Sequence, residues 1–219
     1  AGLTPILCGI LSTPALAYLI SSGDYAGGVM ISASHNPYFD NGFKFFGPNG
    51  EKVNQNEIGR IEASVSDLKE PFIPAYSLDK KLKFIDGASF YLGATVSTKK
   101  FFSTKVILDC ANGSLSQIAE RFFQSRCSEL TVMGKTPNGF NINHMCGSTN
   151  IVHLREEVLK RKADVGFAFD GDGDRLIAVD GSGVVIDGDD ILYILAKEQK
   201  RKSTLVGGVV GTGMSNVGL

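Results

Sequence analysis

Short apolar runs rich in β-branched residues alternate with amphipathic helical patterns along most of this 219-residue chain. Parallel strands need long crossover connections, usually helices, so this alternation predicts an α/β fold with mixed, largely parallel sheets sandwiched by helices. We predict strands at residues 28–31, 105–108, 130–133, 165–169 and 205–210. The spacing of apolar residues predicts helices at 14–21, 56–68, 115–124, 152–162 and 189–199.

Two local patterns subdivide the chain. Residues 176–186 contain two short apolar runs around a Gly-Ser-Gly sequence, which predicts a β-hairpin. Residues 70–83 contain Pro71, Pro74 and a charged cluster, so they are the best candidate for a linker. We therefore expect a domain boundary in or beside this linker.

Composition excludes several classes of protein. The 22 basic residues are balanced by 23 acidic ones, a charge that argues against a nucleic-acid partner. No segment reaches the length of about 18 apolar residues that a membrane span needs, so no membrane partner is expected. Cys8, Cys110, Cys127 and Cys146 show no zinc-site spacing. They are predicted to be free thiols, which indicates a cytoplasmic location.

The first candidate site follows the predicted strand 28–31, where the chain continues into a polar loop. Loops at the carboxyl ends of strands are where α/β proteins bind ligands. Ser34 could carry a phosphoryl group, held by donors from His35, Asn36 and Lys44. Its flanks do not match the Gly-x-Ser-x-Gly pattern of hydrolases. An ordinary turn is the alternative, because Ser, Asn, Pro and Gly are common turn residues.

The second candidate site follows the predicted strand 165–169 and carries three carboxylates at alternate positions, Asp170, Asp172 and Asp174, before Arg175. Like charges this close raise one another's pKa unless a cation lies between them. The intervening glycines let the backbone curl so that the carboxylates converge. Hard oxygen ligands favour Mg²⁺ or Ca²⁺, and Mg²⁺ keeps positions open for a substrate phosphate. A solvated acidic turn is the alternative.

Two known acidic motifs are close to this loop. An EF-hand needs glycine at its sixth position and an acid at its twelfth, where this chain has Arg175 and Gly181, so an EF-hand is excluded. The loop also resembles the haloacid-dehalogenase motif, in which the first Asp becomes an aspartyl phosphate, except that Asp174 replaces a threonine or valine. That interpretation leaves the Ser34 loop unexplained.

Taken together, the Ser-Ala-Ser-His-Asn-Pro sequence at 32–37 and the Asp-Gly-Asp-Gly-Asp-Arg sequence at 170–175 resemble the α-D-phosphohexomutases. Both motifs in this order and at this separation are a specific combination. Within that family, four further runs are most similar to the bacterial phosphoglucosamine mutases, namely 106–113, 137–143, 146–149 and 210–219.

The resemblance implies that Ser34 is a phosphoserine. It also implies that Asp170, Asp172 and Asp174 bind one Mg²⁺ per chain, together with an oxygen of the Ser34 phosphate.

The resemblance also implies roles for four other side chains. Lys44 matches the family's lysine near the hydroxyl and is our candidate for general acid/base work. His35 would assist by hydrogen bonding, while Asn36 and Arg175 would contact phosphate.

The implied reaction interconverts glucosamine 6-phosphate and glucosamine 1-phosphate, on the route to UDP-N-acetylglucosamine and peptidoglycan. A hexosamine 1,6-bisphosphate is the implied intermediate and activator, and the partner is a small phosphosugar. A phosphoglucomutase or phosphomannomutase of the same family, and a non-catalytic Mg²⁺-binding fragment, are the alternatives.

The resemblance implies only part of the family's multi-domain architecture. Residues 1–83 match the C-terminal part of the first domain, 84–185 the complete second domain and 186–219 the start of the third. We therefore expect the third and fourth domains to be missing partners and the isolated chain to be inactive. A homodimer is also compatible with the family.

Overall fold

The computed structural model describes residues 3–67, 82–95 and 101–216. They form two compact units. Unit 1 comprises Ala1–Ala33 and Phe39–Thr98, and unit 2 comprises Ser34–Tyr38 and Lys99–Leu219.

Unit 1 contains two small two-stranded sheets and three helices. Its strands are β1 (Ile6–Leu7), β2 (Gly28–Ile31), β3 (Phe43–Phe46) and β4 (Lys83–Phe84), and its helices are α1 (Thr13–Ser21), α2 (Gln55–Ser66) and α3 (Gly87–Ala94). β1 pairs with β4 in parallel, and β2 pairs with β3 antiparallel. Leu16 and Ile20 of α1 form a small core with Phe46 of β3, so α1 is anchored by its apolar face.

Helix α1 begins one residue before the predicted start. The side chain of Ser12 accepts a hydrogen bond from the backbone N–H of Ala15, and the helix begins at Thr13. Pro14 lies in the first turn, where its missing N–H leaves no helical hydrogen bond unmade. The serine cap therefore sets the start of the helix.

Unit 2 is built on a five-stranded sheet of order β6-β5-β7-β8-β9. The strands are β5 (Phe101–Asp109), β6 (Cys127–Met133), β7 (Val165–Phe169), β8 (Leu176–Asp180) and β9 (Val185–Ile186). The helices are α4 (Ile118–Phe123), α5 (Val152–Arg161) and α6 (Gly188–Arg201), with a 3₁₀ turn at Ser114–Ser116. β6, β5 and β7 are parallel, whereas β8 and β9 continue antiparallel as the predicted hairpin.

Helices cover both faces of this sheet because β5 is apolar on both sides. Ile107 packs with Leu154 and Val158 of α5 on one face. Val106 and Leu108 point to the other face and pack in a cluster with Ala119 of α4. Side chains of a strand alternate between its faces, so one continuous apolar run supports two cores. The predicted mixed α/β architecture is confirmed.

One predicted strand is wrong. Residues 205–210 form no strand in the part of the chain that the structure describes. The side chains of Val206 and Val210 are almost fully exposed, and Gly207 has a left-handed φ of 76°. β propensity reflects packing against neighbouring strands, and no described strand pairs with these residues. The predicted helix at 115–124 is also divided, into the 3₁₀ turn and α4.

Several short elements give no clear sequence pattern. β1 and β4 have two residues each, too few to show a period, and α3 contains two glycines. β4 and α3 belong to unit 1, where they contact β1 and α1. Residues 70–81 of the predicted linker lie outside the described residues, and the domain boundaries stay predictions. Among the described helices, none has the length and apolar character needed to cross a bilayer.

The carboxylate of Asp109 ties the end of β5 to two loops of unit 2. Asp109 is fully buried. Its Oδ1 accepts a hydrogen bond from the backbone N–H of Ala111 at 3.0 Å, and its Oδ2 accepts one from Gly147 at 2.7 Å. Gly134 also approaches closely, since an added Cβ there would lie 2.6 Å from Asp109 Oδ1.

We predict that Asp109→Ala lowers the free energy of unfolding by about 3 kcal/mol or more, because two buried amides lose charged acceptors. Glu129→Ala is the control, because its ion pair with Lys105 is half-exposed and worth at most about 1 kcal/mol. Urea unfolding followed by circular dichroism measures both variants. Equal midpoints for the two would contradict this role of Asp109.

Candidate active site

The three acidic side chains converge where β7 ends. Asp170 directly follows β7, and Asp170 and Asp172 are buried while Asp174 is exposed. One carboxylate oxygen from each lies within 4.8 Å of the others. A backbone turn brings them together, since the Gly173 N–H donates to the Asp170 carbonyl and Gly173 has a left-handed φ of 68°.

This donor set fits a divalent cation. All three ligand groups are hard carboxylate oxygens, which Mg²⁺ and Ca²⁺ prefer. Two buried carboxylates at this separation repel one another strongly unless a positive charge offsets them. Asp170, Asp172 and Asp174 would therefore hold the ion, and the exposed position of Asp174 leaves one side of the site open to solvent.

Both carboxylate oxygens of Asp170 accept hydrogen bonds. Its Oδ1 accepts hydrogen bonds from the backbone N–H groups of Asp174 and Arg175, both at 3.1 Å. Its Oδ2 accepts one from Ser34 Oγ at 2.9 Å. Arg175 Nε lies 4.0 Å from the same oxygen.

The pKa of Asp170 is raised above its ordinary value. Burial is the main cause, and the charges of Asp172 and Asp174 act in the same direction. The hydrogen bonds from Ser34 and from the Arg175 backbone oppose this shift of the pKa. Protonation of the carboxyl therefore competes with a bound cation at higher pH than for an exposed aspartate.

Ser34 reaches this cluster in an unusual backbone conformation. Its φ is 57°, in the left-handed region that non-glycine residues seldom occupy. Asn143 Nδ2 donates to the carbonyl of Ser34 at 2.9 Å and to that of Asn36 at 3.0 Å. Unit 2 therefore holds the loop and directs the Ser34 hydroxyl to Asp170.

The other four residues predicted for the site lie in different surroundings. The side chain of Arg175 is half-exposed beside Asp170. His35 Nδ1 is buried and has no hydrogen-bond partner among the residues that the structure describes. Asn36 contributes its carbonyl to the contact with Asn143. Lys44 lies on β3 of unit 1, opposite Met30 of β2, and its assignment as acid or base stays a prediction.

Sequence reasoning missed two residues that shape the site. Asn143 lies in the run 137–143, which supports only the family resemblance. A general signal was present, because asparagine favours left-handed conformations and hydrogen bonds from its side chain to the backbone. For Gly171 the sequence predicts only that the backbone can curl. An added Cβ at Gly171 would lie 2.5 Å from the carbonyl oxygen of Ser34, so this position needs glycine to admit the loop.

The surroundings of Asp170 argue against the alternative in which this aspartate is the nucleophile. Its side chain is fully buried, and both of its oxygens accept hydrogen bonds. A nucleophilic aspartate must present an oxygen to phosphorus. The partly exposed, hydroxyl-bearing loop at Ser34 is the better candidate for covalent chemistry.

Two family models match the chain in succession. The phosphoglucomutase/phosphomannomutase alpha/beta/alpha domain I matches residues 1–71, and domain II of the same family matches residues 83–183. Together these matches cover well over half of the chain. The chain belongs to the phosphoglucomutase/phosphomannomutase family.

The curated relatives that match this chain are phosphoglucosamine mutases. Those of Psychromonas ingrahamii and Nitrosococcus oceani are 44% and 45% identical over the whole chain. The chain covers 50% of the first relative and 49% of the second. It therefore spans about half the length of the curated relatives it matches.

Solved structures agree on the fold. A phosphoglucomutase/phosphomannomutase family protein from Burkholderia thailandensis matches 92% of this chain and 45% of its own, with a TM-score of 0.75 and 25% identity. A protein described as a phosphomannomutase from Thermus thermophilus matches 92% of this chain and 47% of its own, with a TM-score of 0.74 and 24% identity.

We predict that the protein binds one Mg²⁺ and that Asp172→Asn weakens this binding by about tenfold or more, because a buried charged ligand is lost. Glu156→Gln is the control, since Glu156 is an exposed acid outside the cluster. Isothermal titration calorimetry with MgCl₂ measures the affinities. Equal affinities for the two variants would contradict the proposed ligand set.

We also predict that Mg²⁺ affinity falls as the pH is lowered from neutral, starting at a higher pH than an ordinary aspartate would give. The sign follows because burial raises the pKa of Asp170 and only the ionised carboxylate binds metal. Titration at several pH values, with proton release measured in buffers of different ionisation enthalpy, tests this. An affinity that stays constant into the acid range would exclude it.

Proposed function

We propose that this chain is the phosphoryl-transfer half of a phosphoglucosamine mutase. Such an enzyme interconverts glucosamine 6-phosphate and glucosamine 1-phosphate through a phosphoserine, here Ser34, and a hexosamine 1,6-bisphosphate. The contact of Ser34 Oγ with Asp170 Oδ2 at 2.9 Å carries the proposal, because it joins a hydroxyl nucleophile to a cation site. The names of the curated relatives support the choice of sugar.

The reaction needs charge stabilisation more than covalent chemistry. Mg²⁺, when bound by the three aspartates, would offset negative charge on the transferring phosphoryl group. The Oγ–P bond of phosphorylated Ser34 breaks as an oxygen of the sugar bonds to phosphorus. The proton of that sugar hydroxyl passes to a general base, for which Lys44 is our candidate.

Donors around Ser34 would hold the phosphoryl oxygens. The guanidinium of Arg175 is half-exposed, and its planar fork matches a phosphate in two simultaneous hydrogen bonds. His35 and Asn36 directly follow the serine in sequence and would add further donors. The bisphosphate then reorients and returns its other phosphate to Ser34, so that the enzyme ends phosphorylated.

The cysteines bear on the cellular location of the protein. All four cysteines are free, which is typical of a reducing compartment, so we propose a cytoplasmic location. The product would feed UDP-N-acetylglucosamine and peptidoglycan synthesis. Because the chain spans about half of its relatives, we propose that full turnover needs the segments by which they are longer. These would position the sugar, and positioning accounts for much of the rate.

We predict that millimolar glucosamine 1,6-bisphosphate with Mg²⁺ transfers one phosphoryl group to Ser34, because its hydroxyl lies beside the carboxylate cluster. Ser34→Ala should stay unlabelled. Ser32→Ala is the matched control, since it removes a neighbouring hydroxyl of the same loop and should label normally. Intact mass and phosphosite mapping are the measurements, with glucose and mannose bisphosphates as competing donors.

Each other outcome has a distinct meaning. Label on Asp170 would support a phosphatase of the haloacid-dehalogenase type. No label on any variant, with Mg²⁺ binding intact, would support a non-catalytic metal-binding fragment. Preferred transfer from the glucose or mannose bisphosphate would favour the related phosphoglucomutase or phosphomannomutase activity. The same protein should show little or no mutase turnover, and rapid turnover would disprove the need for further segments.

A further inference from the structure

The segment Ser34–Tyr38 groups with unit 2, although the residues on both sides of it belong to unit 1. The segment is short and largely polar, so its sequence alone does not explain why it groups with unit 2. Contacts with distant residues of unit 2 must therefore hold it. Besides the Ser34–Asp170 hydrogen bond, the ring of Tyr38 meets that of Phe140 edge to face, with centroids 5.2 Å apart.

Asn143 provides the most specific of these contacts. A carboxamide has two N–H donors on one nitrogen, and both are used on this segment. One acceptor is the carbonyl of Ser34 at 2.9 Å, and the other is the carbonyl of Asn36 at 3.0 Å. The two bonds fix the peptide groups that follow Ser34 and Asn36, so they restrain the backbone rotation at Ser34 that sets the direction of its side chain.

Such a restraint is needed because the conformation of Ser34 is unfavourable. A non-glycine residue in the left-handed region costs about 1 kcal/mol or more and persists only when its surroundings enforce it. Ser34 has a φ of 57°. Without the bonds from Asn143, its backbone would relax toward the common regions, and Oγ would turn away from Asp170.

Asn143 is itself held firmly. Its backbone N–H donates to the carbonyl of Ala111 at 2.9 Å. The preceding loop is cross-linked by amide side chains: Asn112 donates to the Asn141 carbonyl at 3.3 Å and accepts from the Thr136 N–H at 3.1 Å. Asn141 in turn donates to the Thr136 carbonyl at 3.0 Å. The network anchors the carboxamide on the end of the β5 strand.

The acidic loop at residues 170–175 packs closely against the contact between Asn143 and Ser34. A Cβ added to Gly171 would lie 2.5 Å from the Ser34 carbonyl oxygen and 2.9 Å from Asn143 Nδ2. The glycine therefore allows the Ser34 carbonyl, the Asn143 amide and the Asp170 loop to meet within van der Waals distance. A shift in any one of them changes the other two.

We infer that Asn143 is a positioning residue for phosphoryl transfer at Ser34. Its amide holds the carbonyls of Ser34 and Asn36, keeps Ser34 in the left-handed conformation and so directs Oγ to the carboxylate cluster. This inference rests on the proposed function, because it assigns Asn143 a part in that same transfer. It adds to the site a residue that lies outside the two motifs at 32–37 and 170–175.

The test compares three variants at Asn143 with one matched control. Asn143→Asp keeps the shape but presents oxygen instead of donors to the two carbonyls. Asn143→Ala removes the group, and Asn143→Gln keeps the donors on a longer stem. Asn138→Ala removes an amide of the same loop that bonds within the loop, to the Phe140 N–H.

The first measurement is the rate of Ser34 labelling by glucosamine 1,6-bisphosphate at a temperature where circular dichroism shows every variant folded. We expect the maximal rate to fall about tenfold or more in Asn143→Asp and Asn143→Ala, because the hydroxyl is misplaced. The half-saturating bisphosphate concentration should stay unchanged. Asn143→Gln should recover part of the rate, and Asn138→Ala should match the wild type.

The second measurement is hydrogen exchange of the peptide that spans residues 30–40, which needs no phosphoryl transfer. We expect faster exchange there in Asn143→Asp and Asn143→Ala, with exchange in β7 unchanged. Labelling at the wild-type rate in both variants would overturn the inference while leaving the proposed function intact. If the wild type takes no label, the proposed function fails, and unchanged exchange would then overturn the positioning role as well.

A structural role alone would give a different result. The rate would then follow the loss of stability in all three Asn143 variants, with no recovery in Asn143→Gln and with faster exchange throughout unit 2. That outcome would also overturn the inference.

Discussion

Mutual repulsion of three carboxylates at the end of one strand is the constraint on which the rest of the site depends. Asp170 and Asp172 are buried, so water screens their charges poorly. The protein stabilises Asp170 with two backbone N–H groups and the Ser34 hydroxyl. These donors stabilise the charge of Asp170. A bound cation would offset the combined charge of the three carboxylates.

The parts of this molecule that could be predicted from sequence are those encoded locally. Strand β7 and its acidic loop occupy consecutive residues, and their apolar and glycine-spaced acidic patterns are visible in one short window. The same holds for β2 and the loop at Ser34. The strand predicted at 205–210 was wrong for the complementary reason, because its apolar residues have no neighbouring strand to pack against among the described residues.

The contacts that assemble the site could not be predicted in this way. Ser34 and Asp170 are 136 residues apart in sequence, and Ser34 and Asn143 are 109 apart. A carbonyl accepts a hydrogen bond from any amide that the fold brings near, so no residue type at position 143 identifies its partner. The three asparagines between 138 and 143 are the one local signal that could have suggested a loop ordered by side chains, and they do not identify the partners.

The left-handed backbone at Ser34 also restricts which hydroxyl residue can work there. Threonine carries the same hydroxyl group, but its β-branch crowds the backbone, and β-branched residues are true outliers at positive φ. A threonine at this position would be driven into an extended conformation, with its oxygen directed elsewhere. The loop thereby selects serine over threonine through backbone sterics alone, before any difference in the chemistry of the two alcohols matters.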